Sequence, residues 1–385
     1  MLNIFLILFG IVLGTFCGVF PGLHPNSISA IISSFGIEQI TQLLVAMLGV
    51  YSVMIFLPSI IFGIPDGETA ISLLPGQRMY LEGKLLEAIF IVTHSALIAG
   101  LLASLAGYWI IYFFVGINTA LKPYMGYILI FASVFFIIRQ KEKVYSALFY
   151  ILCALWGYFV FQLNLPDPLF AMFVGFFTLP AIFYTEECKN IEQQSTIENK
   201  KIDFLKYVIG GVILGAIADF LPGISSPAQL AAFSALFMKV QNPRNFLAHL
   251  VAIETSHNMF ALSTVAGGGI ARVGTISIAK NLFAFSPFNY GYHAAIFLFS
   301  LLVGVFLLLK ITYYLKDRIT KLEIKKISYV IGVYLIVMIV LIDGLIGLFI
   351  LSLSTIIGFI PYKMNISRIN VMASIIGPTT FYLFS

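Results

Sequence analysis

Two Pro-Gly dipeptides interrupt apolar stretches of the chain. One lies in GVFPGLHPN, at Pro21-Gly22, and the other lies in DFLPGISSPAQ, at Pro222-Gly223. Proline removes a backbone donor and glycine permits conformations that end a helix, so both dipeptides predict a break in a helix. The small-residue segments that follow, 26–35 and 227–238, are too short to cross a bilayer. We therefore expect each of them to form a half-helix inside the membrane.

The starts of these two half-helices are candidate anion sites. First-turn prolines with Asn or Ser nearby are typical of helix starts, and Asn26 or Ser27 is expected to cap the first one. Unpaired N–H groups and the helix dipole at such an end attract negative charge. The predicted substrate-binding residues here are Pro21, Gly22, His24, Asn26, Ser27, Pro222, Gly223, Ser225 and Ser226. The alternative interpretation is a pair of ordinary proline kinks.

Two flexible segments, IFGIPDGETA and TVAGGGIARVG, also interrupt apolar stretches. Loops rich in backbone donors are tolerated at membrane depth where they line a cavity, so they are further candidates for substrate contact. The residues predicted to make that contact are Gly63, Pro65, Gly267 and Gly268. Asp66 and Glu68 are candidates for a coupling-ion site, and the equal alternative places them in water at the membrane surface.

Ionisable residues also occur inside an apolar run, in AIETSHNMFA. Because such residues are costly in a membrane, Glu254, His257 and the separate Asp219 are predicted to bind a coupling ion, and Asn258 to contact substrate. The alternative is hydrogen bonding between buried helices. Glu254 and His257 have a spacing seen in helical metal sites, but no second such pair exists, so no catalytic metal or cofactor is expected. Na⁺ or H⁺ is the expected coupling ion.

The elements that position these residues follow from composition. Hydrophobic residues make up 60% of the 385 positions and charged residues 10%, against about 25% charged in soluble domains. Such a chain needs lipid as its solvent. We predict an all-α polytopic protein of the plasma membrane with about ten to twelve hydrophobic segments. The net charge of +5 comes mainly from short loops between apolar runs, which excludes a nucleic-acid partner.

The chain divides into two halves, 1–185 and 206–385, joined by a polar linker at 186–205. Gly10, Leu13, Gly14, Pro21, Gly22, Ala30 and Ser33 recur 201 positions later as Gly211, Leu214, Gly215, Pro222, Gly223, Ala231 and Ser234. The positive-inside rule places the linker and the other basic loops in the cytoplasm and the N-terminus outside. The halves then start on opposite sides, which predicts inverted repeats whose broken helices meet at mid-membrane.

These motifs resemble the large membrane subunit of tripartite tricarboxylate transporters, the TctA family, and more closely its shorter archaeal members. The resemblance covers most of the chain. It implies uptake of small carboxylates driven by an ion gradient, in bacteria together with a small membrane subunit and a periplasmic binding protein. The family positions matched are Pro21, Gly22, Gly63, Ile64, Pro65, Pro222, Gly223, Glu254 and Asn258.

The chain also departs from the family pattern. Asp66 stands where the family commonly has glycine, and Ser256-His257 replaces small apolar residues. These changes and the shorter chain argue against tricarboxylate itself as substrate and against the partner subunits; a homo-oligomer is left open. The leading hypothesis is an ion-coupled secondary transporter of a small organic anion that works by alternating access. A passive channel and an intramembrane enzyme are the alternatives, although Ser256 and His257 point apart on a helix.

Overall fold

The computed structural model describes residues 2–20, 23–34, 40–62, 73–140, 142–163, 165–184, 204–220, 242–269, 271–282, 285–319, 324–364 and 366–385. These residues are almost entirely helical, and none of them lies in a strand. The helices are α1 (Leu2–Val19), α2 (Pro25–Ser34), α3 (Thr41–Met54), α4 (Phe56–Phe62), α5 (Leu73–Leu81), α6 (Leu85–Leu121), α7 (Met125–Ile138), α8 (Lys143–Phe161), α9 (Pro168–Phe173), α10 (Leu179–Tyr184), α11 (Leu205–Phe220), α12 (Pro243–Ala266), α13 (Gly274–Leu282), α14 (Pro287–Ile319), α15 (Ile324–Met364) and α16 (Ala373–Phe384).

Several helices have the length and composition of membrane spans. Among the described residues, five stretches qualify: Thr41–Phe62, Leu85–Ile111, Lys143–Phe161, Pro287–Lys316 and Lys325–Met364. The outer helices expose large apolar side chains; Phe5 and Phe9 of α1 and Leu155 of α8 are each more than half exposed. An apolar surface of this kind is stable in lipid and not in water. The prediction of an all-α polytopic membrane protein is confirmed.

Breaks in the helices occur where the sequence places small or conformationally special residues. α2 has ten residues and begins at Pro25, so the short helix predicted after the first Pro-Gly dipeptide is present. Its predicted partner at 227–238 lies outside the described residues. α15 bends sharply at Gly344, whose φ of 64° is a conformation that favours glycine. Asp343, directly before this bend, is buried.

The buried side chains form two clusters. The larger one, which we call the core cluster, contains α3 and α12 with apolar residues of α1, α4–α6, α11, α13 and α14. The smaller one, the peripheral cluster, is built from α8, α9 and α15 with the segment that leads into α16. Each cluster takes helices from both sides of the 186–205 linker, so the two halves of the sequence are intertwined in the fold. The division into 1–185 and 206–385 as repeats remains a prediction.

Glycines allow two helix pairs of the core cluster to pack closely. Gly10 and Gly14 of α1 lie against the carbonyl groups of Leu43 and Met47 in α3. Gly211 and Gly215 of α11 lie against the carbonyl groups of His249 and Ile253 in α12. A side chain at any of these glycines would collide with the facing backbone. Small residues at helix interfaces are a common means of close approach in membranes.

The contacts also give the directions of the central helices. Gly100, Gly107 and Ile111 of α6 meet residues near 255, 263 and 267, so α6 and α12 run in the same direction. Gly49 meets Phe297, and Gly304 meets Val50 and Val53, so α3 and α14 also run in the same direction. Gly100 lies by Leu301 whereas the Ser104 carbonyl accepts a hydrogen bond from Tyr290, so α6 and α14 are antiparallel. It follows that α3 and α12 are antiparallel.

Candidate functional site

The centre of the core cluster contains a polar contact between α3 and α12. The Asn258 side-chain Nδ2 donates to Ser52 Oγ at 3.0 Å and to Glu254 Oε1 at 2.7 Å. All three side chains are at most 1% exposed. Glu254 and Asn258 are one helical turn apart, so α12 itself sets their pairing. The contact joins helices from different halves of the sequence at a buried point.

The start of α2 adds two side chains whose orientation is fixed. The backbone N–H of Asn26 donates to His24 Nδ1 at 3.1 Å, so His24 caps this helix and the expected cap by Asn26 or Ser27 does not form. An imidazole that accepts at Nδ1 carries its hydrogen on Nε2 when it is neutral. The His24 ring also stands edge-on to the ring of the buried Tyr51, with centroids 5.3 Å apart.

Asn26 connects the start of α2 to the start of α13. Its Oδ1 accepts from the backbone N–H of Thr275 at 2.7 Å and from the Thr275 hydroxyl at 3.0 Å. Asn26 thus satisfies one of the backbone donors that a helix start leaves without an intrahelical partner. The Asn26 amide also packs against Gly274, the first residue of α13, where a side chain would collide with it. Two helix N-termini therefore meet here, those of α2 and α13.

A second group of polar residues lies where α11 meets α12. Asp219, near the end of α11, and His257 are both nearly inaccessible, and their Oδ1 and Nδ1 atoms are 3.6 Å apart. Thr264 lies beside Asp219, and the Arg272 guanidinium is close enough to interact electrostatically with its carboxyl group. At 3.6 Å the carboxyl–imidazole contact is longer than a hydrogen bond.

We treat the two groups as one neighbourhood because both include residues of α12, where His257 and Asn258 are consecutive and direct their side chains toward α11 and α3 respectively. The polar and aromatic residues of these contacts are His24, Asn26, Tyr51, Ser52, Asp219, Glu254, His257, Asn258, Arg272 and Thr275. Within the described ranges, no group of three or more His, Cys, Asp or Glu side chains is placed to hold a metal. The neighbourhood offers hydrogen-bond donors together with groups that can gain or lose a proton.

The other predicted site residues are placed differently. Ser27 donates to Asp167 Oδ2 at 3.1 Å and so connects α2 to the peripheral cluster. Gly267 and Gly268 form the turn that ends α12, where Gly267 packs on α6 and Gly268 is exposed. The predicted residues outside the described part of the chain are Pro21, Gly22, Gly63, Pro65, Asp66, Glu68, Pro222, Gly223, Ser225 and Ser226.

Several residues of this neighbourhood have no motif that would identify them. Tyr51 and Ser52 lie in an uninterrupted apolar run, and Thr275 and Arg272 follow a glycine-rich turn. A signal for Ser52 does exist in the packing. Leu43 faces a glycine of α1, and His249, 206 positions later, faces a glycine of α11. The same offset of 206 positions separates Ser52 from Asn258.

An ion pair at one edge of the core cluster also lies outside the sequence predictions. Arg244, in the first turn of α12, contacts Glu87, in the first turn of α6, through two nitrogen–oxygen pairs of 2.7 and 3.0 Å. Glu87 is 3% exposed. Paired contacts of this kind fix the relative position of two groups more firmly than a single contact does. This ion pair therefore fixes the starts of the parallel helices α6 and α12 against each other.

Long apolar helices around a buried polar centre, with short helices that start inside the protein, define a multi-pass membrane protein of the transporter type. The sequence profile of the tripartite tricarboxylate transporter TctA family matches residues 4–373. The chain belongs to this family. It is a family of transporters and not of enzymes, which excludes the intramembrane-enzyme alternative.

The uncharacterized protein MJ1079 of Methanocaldococcus jannaschii is 30% identical over 399 aligned positions, which cover 99% of both chains. No solved structure gives a significant match. The resemblance to the TctA family and to a short archaeal member is thereby confirmed.

Proposed function

We propose that this protein is an ion-coupled secondary transporter that binds a small carboxylate between the start of α2 and the crossing of α3 with α12. Family membership supports transport of a tricarboxylate-type solute. The position of the polar groups supports the proposed binding place, because these groups belong to helices that start or cross inside the core cluster. Transporters commonly place substrate sites at such points.

The observation that carries this proposal is the orientation of His24 and Asn26. The acceptor atoms Nδ1 of His24 and Oδ1 of Asn26 are both used by backbone N–H groups of the protein. The other nitrogen of each side chain, Nε2 of His24 and Nδ2 of Asn26, therefore carries hydrogen and is a donor. Donors held in place at the meeting point of two helix N-termini favour an anion over a cation.

The packing also supports inverted repeats, which we include in the proposal. The α1–α3 and α11–α12 pairs use glycines at matching positions, yet α3 and α12 are antiparallel. α3 packs with α14, and α12 packs with α6. A two-fold axis in the membrane plane that relates α3 to α12 and α14 to α6 would produce this arrangement. Ser52 and Asn258 would then lie on that axis and touch each other. A solute bound there can face either side after a small rearrangement, as alternating access requires.

The inverted orientation is testable by labelling from each side of the membrane. Single cysteines at Glu82, before α6, and Phe288, at the start of α14, would be introduced into a cysteine-free background. Both positions are exposed. A membrane-impermeant maleimide is expected to label Glu82→Cys from the cytoplasmic side and Phe288→Cys from outside. Labelling of both from the same side would contradict the antiparallel arrangement.

Transport itself is testable in proteoliposomes with radiolabelled citrate, succinate and acetate. Asn26→Asp keeps the Oδ1 acceptor for Thr275 but replaces the donor NH₂ by a negative oxygen, so uptake should fall at least about tenfold, as loss of one charge-assisted hydrogen bond implies. Asn289→Asp is the matched control, because Asn289 Oδ1 also accepts a backbone N–H, from Ser286, at the start of α14. Equal uptake by the two variants would refute the proposed site, and no uptake of any solute by the unaltered protein would refute the function.

A further inference from the structure

Asp219 is a buried acid that does not take part in the proposed anion binding at the start of α2. It is 1% exposed, and neither of its carboxyl oxygens accepts a hydrogen bond from the described part of the chain. A permanently ionised carboxylate in such a place is costly unless it is paired and hydrogen bonded. Its ionisable neighbour on α12 is His257, with 3.6 Å between Oδ1 and Nδ1.

The charges around Asp219 leave room for one exchangeable proton. Arg272 stays protonated at any physiological pH, so it balances an ionised Asp219 while His257 is neutral. One added proton, on either Asp219 or His257, gives the cluster a net charge of +1. Because the distance between the two groups exceeds that of a hydrogen bond, their contact with each other does not hold the proton on one of them.

The other described acidic and histidine side chains of α12 and α6, the helices that pack against α11, have different partners. On α12, Glu254 accepts from Asn258 on the side of α3, and His249 Nδ1 contacts the Tyr207 carbonyl oxygen at 2.8 Å. On α6, Glu87 pairs with Arg244, and the exposed His94 contacts the carbonyl oxygen of Phe90. Among the described acidic and histidine side chains of these helices, Asp219 and His257 are therefore the pair placed to share a proton, with Arg272 close to Asp219.

We propose that Asp219 and His257 bind the coupling proton of this transporter. The inference rests on the proposed function and names its coupling ion. A proton enters from water, resides on Asp219 or His257, and leaves to water on the other side, with no other bond made or broken. While bound, it adds positive charge next to Asn258 and so favours occupation of the neighbouring site by an anion. Na⁺ would have to bind beside the Arg272 guanidinium, whose charge repels it.

The test separates accumulation from exchange in proteoliposomes, with citrate, succinate and acetate as probes. In Na⁺-free buffer, an inward gradient of one pH unit should drive about tenfold accumulation by the unaltered protein for each proton carried. Asp219→Asn and His257→Gln should lose this accumulation yet still exchange internal for external solute. His257→Gln carries the test on its own where Asp219→Asn does not fold.

Asp343→Asn is the matched control. Asp343 is another buried acid, but it lies in the peripheral cluster, where its Oδ1 accepts from the Asp167 backbone N–H, and an amide oxygen can replace it. This variant should accumulate solute as the unaltered protein does. Accumulation that requires Na⁺, or that persists in Asp219→Asn, would overturn the proton assignment while leaving the carboxylate transporter intact. Absence of both exchange and accumulation in the unaltered protein would instead overturn the proposed function.

Discussion

Removing the charge of Glu87 should destabilise the protein far more than the same change at a nearby surface residue. Glu87 is 3% exposed and contacts Arg244 through two nitrogen–oxygen pairs of 2.7 and 3.0 Å. Breaking a buried pair leaves one charge uncompensated and costs about 3–5 kcal/mol. Glu82, five positions earlier, pairs with Arg78 and Lys84 at the surface, where such contacts contribute about 0–1 kcal/mol. We therefore expect Glu87→Gln to lower the free energy of unfolding by about 3 kcal/mol more than Glu82→Gln does.

The assay is thermal unfolding of the purified protein in detergent, followed by the fluorescence of its tryptophans or by aggregation. Glu87→Gln should lower the midpoint by several degrees and Glu82→Gln should leave it nearly unchanged. The double variant Glu87→Gln with Arg244→Gln should recover part of the loss, since it removes the uncompensated guanidinium charge. Equal midpoints for Glu87→Gln and Glu82→Gln would refute the claim that this pair fixes α6 against α12.

Three further substitutions test the packing of the core cluster by thermal unfolding. Gly14→Ala should destabilise the protein by about 1–3 kcal/mol because the new Cβ would meet the Met47 carbonyl. Gly291→Ala has open space around it and should stabilise the protein by about 0.5–1 kcal/mol. Equal effects of the two substitutions would contradict the close approach of α1 and α3. Ser52→Ala should lower the stability of the protein by about 1–3 kcal/mol, because the Asn258 amide loses an acceptor. Ser352→Ala, on an exposed face, should leave the stability unchanged. A neutral Ser52→Ala would count against the contact between Ser52 and Asn258. Ser27→Ala, which loses the bond to Asp167, should cost about 1.5–3 kcal/mol without changing the apparent affinity for solute, and an altered affinity would place Ser27 in the binding site.

The membrane class and the short helix after the first Pro-Gly dipeptide could be read from the sequence because both depend on local properties. Apolar length determines what can cross lipid, and proline with glycine determines where a helix ends. The pairing of Glu254 with Asn258 was also accessible, since one helical turn separates them. The prediction that the polar residues of AIETSHNMFA contribute to a binding site also depends only on the sequence of that segment.

The contacts that assemble the site could not be read in this way, because they join residues far apart in the chain. Asn26 caps α13 across 249 positions, and Arg244 pairs with Glu87 across 157. Nothing local in either partner indicates the other. Residue type alone predicts Asn26 or Ser27 as the cap of α2, but the helix begins at Pro25, so the preceding residue, His24, takes that role.

The most direct test of the account is an experimental structure of the protein with a bound carboxylate that it transports. We expect density for the carboxylate between α2 and the α3–α12 crossing, within hydrogen-bond distance of Asn26 Nδ2 and His24 Nε2. Density at another location, with the Asn26 amide and the His24 ring making no contact to the solute, would contradict it.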